Sequence, residues 1–290
     1  MSAVLPIEEY VEQAYLFDAL AKQFTADPEL QRPIQTMLLW LKQEVLATTK
    51  LPMAIDYLVA EIKHVGTLST AMAKMPHYFA PFQTYLIGAA EEESGRFDIW
   101  QAFRILHQEA LLRSQKVNPT ALFFFQFETL CRNRLGYDYG VEAMSRDPVY
   151  DTNWAKWVLA VRHKVGIVDI TDLVYVHSEL YVQNEGRRVG DSFQVPDPVL
   201  FSEKEGRIAL ANRHKEPLFF FSSLQRHLAF PATPRPPKID EAKSFIPKMV
   251  RQIERLESRI RLLEEEQRSQ GIDLSQFYEK PTKPKKDLLG

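Results

Sequence analysis

The strongest metal-like pattern in the sequence is Glu61 followed by His64 three positions later. On a helix these two side chains share a face, and paired Glu-x-x-His motifs supply ligands to di-iron sites in four-helix bundles. Such a site requires two copies of the motif and further glutamates from other helices, and the pattern occurs once here, so the ligand count fails. Glu61 and His64 are therefore weak candidates for metal ligands, and the sequence predicts no metal centre and no cofactor.

Cys131 is the one cysteine of the chain, which excludes an internal disulfide and a cysteine-based zinc site. In an aromatic-rich helix a lone cysteine is typical of a small hydrophobic side chain rather than of a nucleophile. The patterns GxxxxGK[ST], GxGxxG, GxSxG and HExxH do not occur. The sequence therefore predicts no catalytic residues and a protein that is not an enzyme. An enzyme on a helical scaffold, metal-dependent through Glu61 and His64, is an alternative.

A basic segment at residues 207–238 is the best candidate for contact with nucleic acid. Phenylalanines interleave the cations, and surface aromatics between cations can stack bases. The same phenylalanines recur at the spacing of a helix core, which places the cations on the solvated face. A net charge of −2 provides little long-range attraction to a polyanion. Nucleic-acid binding is thus an alternative function, and its predicted contacts are Arg207, Arg213, Lys215, Arg226 and Arg235.

Residues 241–270 contain the clearest motif, a heptad pattern with Ile at every a position and Met or Leu at every d position. Because a single helix cannot bury so narrow a seam alone, the pattern predicts a partner helix. Ile at a with Leu at d favours a parallel two-stranded assembly, in which Arg259 would face Glu264 of the other chain. The predicted oligomerisation residues are Ile246, Met249, Ile253, Leu256, Ile260 and Leu263.

This seam is short, because Gln267 and Gln270 occupy the next a and d positions and Gly271 ends the helix. About three heptads is close to the lower limit for a coiled coil that is stable alone. A dimer would therefore need help from the folded domain. Packing of this helix onto its own domain, or pairing with a different protein, are the alternatives to self-association.

The remainder of the chain predicts a mainly α fold. Apolar residues recur at three- and four-residue spacing, as in Tyr10, Ala14, Phe17, Ala21 and Phe24. Residues 121–134 are apolar nearly all round, which is typical of a helix at the centre of a domain. We expect an irregular helical bundle or array, followed by a Pro-rich linker and a short C-terminal coiled coil. The predicted bounds are 1–230 for the helical domain, with possible subdomains 1–115 and 119–230, then 231–240 for the linker, 241–270 for the coil and 271–290 for a largely disordered tail.

Three segments near the end of the helical domain are harder to predict. For residues 173–182 a strand is the alternative, because Val174, Val176 and Val182 are β-branched. We favour one helix, since Leu173, Val176 and Leu180 keep helical spacing. Residues 183–198 are expected to form a loop, because they contain two glycines and two prolines. Residues 199–210 fit either a helix that starts with the capping box Ser202-x-x-Glu205 or a hairpin with a Glu-Lys-Glu-Gly loop.

Composition sets the broad class of the protein. The chain is 45% hydrophobic and 26% charged, which excludes a wholly disordered or collagen-like protein. The first residues lack the basic region of a secretory signal, and no apolar run approaches the roughly 18 residues that cross a bilayer. The sequence therefore predicts a cytoplasmic, non-catalytic assembly protein without membrane contacts. We expect a homo-oligomer that presents its helical domain to an unidentified protein partner.

Overall fold

The structure is a computed structural model, and it describes residues 4–25, 33–92, 97–115, 118–164, 166–189 and 194–235. All of these residues belong to the first of two units in the chain, Met1–Pro236. The predicted coiled coil and tail lie outside the described residues. The seam of residues 246–263 therefore stays a prediction.

Thirteen helices account for most of the described residues, which contain no β-strand, so the predicted mainly α fold is confirmed. None of these helices is long and apolar enough to cross a membrane. The helices are α1 (Ile7–Thr25), α2 (Ile34–Leu41), α3 (Leu51–Val65), α4 (Leu68–Ala73), α5 (Pro81–Glu91), α6 (Ile99–Ser114), α7 (Pro119–Asn133), α8 (Tyr137–Ser145), α9 (Thr152–Lys164), α10 (Ile170–Val176), α11 (Glu179–Val189), α12 (Glu203–Ala211) and α13 (Pro217–Leu228).

Helices α1 and α6 share the most extensive contact in the helical unit. The apolar stripe of α1 places Phe17 against Phe103 of α6, with ring centroids 6.4 Å apart. Phe24 also contacts the Phe103 ring, with centroids 5.5 Å apart. The Nδ1 of His107 donates to the Ala14 carbonyl at 2.9 Å and adds a polar contact along this interface. The predicted α1 stripe is thus the face that α6 covers.

Helix α7 lies at the centre of the unit, as its all-round apolar sequence indicates. Its start is set locally, because the Asn118 side chain accepts a hydrogen bond from the Thr120 N–H at 2.9 Å and Pro119 occupies the first helical position. Phe123 and Phe124 are fully buried. Phe123 packs against aromatic rings of α9, whereas Phe124 packs against Phe220 of α13. Buried apolar residues from α1 through α13 form a single core cluster around this helix.

The prediction of a single helix over residues 173–182 is wrong, because the chain bends between α10 and α11. At the bend, Ser178 forms an isolated parallel bridge with Phe201. The Leu200 N–H donates to the His177 carbonyl, and the Glu179 N–H donates to the Phe201 carbonyl, each at 2.9 Å. These backbone groups are engaged across the bend and are unavailable for a continuous helix.

The prediction of a loop over residues 183–198 is wrong for its first half, since α11 continues to Val189. Gly186, in the interior of α11, makes helix formation less favourable by about 1 kcal/mol than alanine would at the same position. Contacts with α10 compensate for it. The Tyr181 ring packs edge-on against Tyr175 with centroids 5.4 Å apart, and the Asn184 amide donates to the Tyr175 hydroxyl at 3.3 Å.

Residues 203–211 are a helix, α12, so the hairpin alternative is wrong. The backbone N–H of Ser202 donates to the Glu205 carboxylate at 2.7 Å, which is one half of the predicted capping box. Gly206 lets this helix approach the bend between α10 and α11, because a Cβ placed there would lie 2.3 Å from the Ser178 Oγ. Helix α12 is therefore packed by its glycine against the same residue that interrupts α10 and α11.

The first residues of the Pro-rich segment pack on the helical unit. Thr233 and Pro234 are buried, whereas Ala232 and Arg235 are exposed. The segment of residues 232–234 lines a cavity of about 380 Å³ together with side chains of α1 and α6. This stretch therefore adds to the surface of the helical unit.

Candidate functional site

An open apolar groove of about 540 Å³ lies between α7 and α13. We call it the α7–α13 groove. Phe127 and Cys131 of α7 line one wall, and Leu218 and Phe221 of α13 line the other. The turn between α9 and α10, residues of α10 and Tyr137 of α8 also line it. Its volume falls within the roughly 300–1,000 Å³ that is typical of ligand-binding clefts.

Helix spacing and helix ends place the walls of the groove. Phe127 and Cys131 are four residues apart on α7 and share a face. The chain turns at Arg134, which adopts a left-handed φ of 53° and ends α7. This turn brings the Tyr137 ring against Phe127, with centroids 6.1 Å apart, and Phe221 lies at the same distance from Phe127.

The turn between α9 and α10 holds an isoleucine at the edge of the groove. Gly166 has a φ of 86°, a conformation that L side chains rarely adopt. The N–H groups of Ile167 and Val168 both donate to the Lys164 carbonyl at 3.0 Å. Asp169 then caps α10 by accepting from the Thr171 N–H at 3.0 Å. Backbone hydrogen bonds thus hold Ile167 in place while 84% of its surface is exposed to solvent.

The rim of the groove is unusually apolar for a surface. Besides Ile167, the lining residues Tyr137, Val168 and Leu218 are 38%, 39% and 41% exposed. Phe219, the neighbour of Leu218 on α13, is 60% exposed. Single exposed apolar residues are normal, but a cluster around a concave surface marks an interaction site. The groove is therefore the candidate functional site of the helical unit.

The charged residues that line the groove leave it with an excess of negative charge. The Nε of Arg132 donates to the Glu128 carboxylate, so this pair is neutral as a unit. Asp169 and Glu216 have no ion-pair partner among the described residues. They precede α10 and α13, whose positive ends contribute only about half a charge each. The electrostatic preference of the rim is therefore for a cation.

The chemistry of Cys131 in the groove is that of a protected thiol. The Tyr137 hydroxyl donates to its Sγ at 3.2 Å. Burial raises the pKa of the Cys131 thiol above its ordinary value and outweighs this hydrogen bond. A thiol that stays protonated near neutral pH is a weak nucleophile. Cys131 therefore serves as a partly buried wall residue, in line with the hydrophobic role that its sequence context predicts.

A second cluster of polar side chains, absent from the sequence-based predictions, lies inside the core. Arg113 donates to Glu109 at 3.0 Å and to Asp147 at 3.1 Å, and the three side chains are fully buried. The Gln126 amide donates to Glu109 at 2.9 Å, and the Tyr150 hydroxyl donates to Gln126 at 3.0 Å. Burial disfavours the guanidinium charge, but the two carboxylates outweigh it and raise the pKa of Arg113 well above its usual value.

This buried cluster ties α6 to α7 and to the turn after α8, so its chemistry is structural. The signal in the sequence is the Glu109–Arg113 pair, four residues apart within the apolar stripe of α6. A paired charge on a buried helix face indicates a further partner from elsewhere in the core. The sequence cannot identify that partner as Asp147, because the two residues meet only after α7 and α8 have packed.

The predicted metal candidates lie on the surface of α3. The Glu61 carboxylate accepts a hydrogen bond from Lys74 of the α4 end, and the His64 side chain is exposed. Across the described residues there is no group of three or more His, Cys, Asp and Glu side chains that could hold a metal ion. The structure therefore brings no further ligand to Glu61 and His64 within the part of the chain it describes.

The predicted nucleic-acid contacts are distributed over α12, the following turn, α13 and the start of the Pro-rich segment. Arg207 pairs with Glu203, whereas Arg213 pairs with Asp172 and stacks 4.9 Å above the Tyr175 ring. Arg226 donates to Ser223 at 3.5 Å, and both Lys215 and Arg235 are exposed. Of the interleaving phenylalanines, Phe220, Phe221 and Phe230 are buried and Phe219 is exposed.

The structure thus uses two of the five predicted cations in ion pairs with acids of the same unit. It also uses most of the interleaving aromatic rings in the core. What remains of the basic segment is dispersed charge rather than a stacking platform for bases.

Comparison with known proteins gives this chain no family. No protein-family model, no curated protein and no solved structure matches it. What the protein does is therefore inferred from its own residues.

Proposed function

We propose that this chain is a non-catalytic assembly protein, which self-associates through its C-terminal heptad seam and holds a partner protein with its helical unit. The observation that carries the proposal is the seam. Six consecutive a and d positions, residues 246–263, are all Ile, Leu or Met, and most of the flanking positions are polar. A helix with this pattern leaves its apolar edge in water unless a partner covers it.

The energetics favour an assembly of moderate strength. Full burial of each large aliphatic side chain contributes about 1.5–3 kcal/mol relative to exposure. Ordering of the helices and the loss of translational freedom on association offset much of this gain. We therefore expect an oligomer that dissociates on dilution.

The α7–α13 groove supports the second half of the proposal. A concave apolar surface with an exposed apolar rim is the usual form of a site that buries part of another molecule. Its thiol is held protonated and is a weak nucleophile, and its two carboxylates lie at the starts of α10 and α13. We infer that the groove binds rather than reacts.

The self-association is tested by measuring the solution mass of the full chain by light scattering. We expect a dimer for the wild type and a monomer for Ile253→Lys with Leu256→Lys, because lysines of the two chains would face each other across the seam at both positions. The matched control is Glu254→Lys with Ser258→Lys, which places two lysines on the outer face of the same helix and should leave the mass unchanged. An unchanged mass for the seam variant, with the helical content retained in circular dichroism, would contradict the proposal.

A further inference from the structure

The charge and shape of the α7–α13 groove specify the kind of partner that fits it. We propose that the groove binds an amphipathic helix of another protein, one that carries lysine or arginine beside its apolar face. This inference deepens the partner-holding half of the proposed function and rests on it. It does not depend on the self-association of the C-terminal seam.

The exposed rim points to a macromolecule rather than to a small molecule. A small ligand would lie against Phe127 and Phe221, whose rings pack together, and leave Ile167, at 84% exposure, in water. A partner that is wider than the groove covers Ile167 and Leu218 at the same time. The binding free energy gained from apolar contact is proportional to the area removed from water. Burial of the rim residues therefore adds to the affinity for such a partner but not to the affinity for a small ligand.

The walls of the groove favour a helical partner. They are formed by helices α7 and α13 and by the turn before α10, and the described residues around the groove offer no strand edge. An extended peptide would therefore find no strand to pair with along the groove and would leave most of its own polar groups unsatisfied. An amphipathic helix satisfies its backbone internally and recognises such a groove with apolar residues three and four positions apart.

The rim acids specify the charge of the partner. Asp169 and Glu216 lie on the groove without a cationic partner among the described residues, while Arg132 is neutralised by Glu128. A lysine or arginine beside the apolar face of the bound helix would complete this arrangement. Complementary charge of this kind speeds association and disfavours partners that carry negative charge at the same position.

The experiment uses two synthetic helices of about 18 residues with the same leucine face, one with lysine and the other with glutamate on the remaining positions. Binding to the full chain is followed by fluorescence anisotropy. We expect the Leu/Lys helix to bind roughly 10-fold or more tightly than the Leu/Glu helix at low salt. Asp169→Asn with Glu216→Gln keeps a cap on α10 and removes both charges, so it should reduce this preference to near parity.

The position of the bound helix is tested with paired variants. Ile167→Lys with Leu218→Lys places two cations on the rim and should abolish binding of the Leu/Lys helix. Leu46→Lys alters a comparably exposed leucine in the turn between α2 and α3, and it should leave binding unchanged. Equal losses in the two variants would show non-specific adsorption and overturn the proposal.

Cys131 supplies a second readout, because it is the single cysteine of the chain and lines the groove. Bound Leu/Lys helix should slow alkylation of Cys131 by N-ethylmaleimide by about 10-fold, since the helix covers the thiol. An unchanged rate with the Leu/Lys helix bound would overturn the proposal, as would equal binding of the two helices. Protection that rises with protein concentration in the absence of any peptide would assign the groove to a second copy of the chain.

Failure of this inference is distinguishable from failure of the proposed self-association. The anisotropy and alkylation measurements are repeated on Ile253→Lys with Leu256→Lys. If this monomeric variant still binds the Leu/Lys helix, the groove acts independently of the seam, as we expect. If the wild type forms a dimer but binds neither helix, the groove inference is wrong and the self-association stands.

Discussion

The guanidinium of Arg113 donates to both carboxylate oxygens of Asp147, and neither side chain is exposed to solvent. These residues are 34 positions apart and join α6 to the turn after α8. Glu109 adds a second carboxylate to the same guanidinium. A fully buried charge is tolerated only when it is paired, so this contact depends on the correct packing of three helices around it.

Replacement of Arg113 by Met should destabilise the protein strongly, because it leaves Glu109 and Asp147 buried without their cation. We expect the free energy of unfolding in urea to fall by about 3–5 kcal/mol. The control is Arg146→Met, which removes the exposed pair between Arg146 and Glu142 and should cost at most about 1 kcal/mol. Similar losses for the two variants would show that the buried cluster does not stabilise the core.

Gly206→Ala should destabilise the contact between α12 and the bend at Ser178. The new Cβ would lie 2.3 Å from the Ser178 Oγ and 2.7 Å from its Cβ, so one of the two elements must shift. We expect a loss of about 1–3 kcal/mol in the free energy of unfolding.

Gly88→Ala is the matched control for Gly206→Ala. Gly88 also lies within a helix, but the nearest atom to its new Cβ would be the Ser69 Cβ at 3.6 Å. The higher helix propensity of alanine should therefore stabilise the protein by up to about 1 kcal/mol. A neutral or stabilising effect at Gly206 as well would contradict the close approach of α12.

Glu9 should stabilise the turn between α2 and α3. Its buried carboxylate accepts from the Lys50 N–H at 2.8 Å and from the Tyr78 hydroxyl at 3.1 Å. Glu9→Ala leaves both donors without this acceptor, and we expect a loss of about 1–3 kcal/mol in urea unfolding. Glu8→Ala, at the exposed neighbouring position in the first turn of α1, should cost less than about 1 kcal/mol.

His177 should make stability depend on pH. Burial lowers the pKa of His177 from its usual value of 6.5, and it outweighs the hydrogen bond that Nδ1 donates to the Pro198 carbonyl at 2.8 Å. Lys164 lowers the pKa further, whereas Asp197 raises it. As the pH falls through about 6.5, the unfolded chain therefore takes up this proton before the folded protein does, and stability decreases.

The measurement is urea unfolding of wild type and His177→Gln between about pH 7.5 and about pH 5.5. Glutamine can still donate to the Pro198 carbonyl but does not titrate. We expect the wild type to lose more stability than the variant over this interval, with no difference in slope above the usual pKa of histidine. Parallel profiles for the two proteins would contradict a depressed pKa of His177.

Several elements follow from sequence alone because their causes are local. Asn118 and Pro119 fix the start of α7, and its all-round apolar composition indicates burial at the centre of the unit. The same holds for the apolar stripe of α1. The heptad seam of residues 246–263 is equally a property of the sequence, since only its repeat is needed to predict a partner helix.

The tertiary structure decided the features whose partners are distant in the chain. The bend at Ser178 depends on pairing with Phe201. Residues 203–211 form a helix rather than a hairpin, and Gly206 of this helix packs against that bend. The α7–α13 groove assembles walls from helices that are far apart in sequence. Periodicity and capping act over three or four residues, whereas these contacts form only when packing brings separate helices together. For this reason the sequence predicted most of the helices, but not the bend at Ser178 or the groove between α7 and α13.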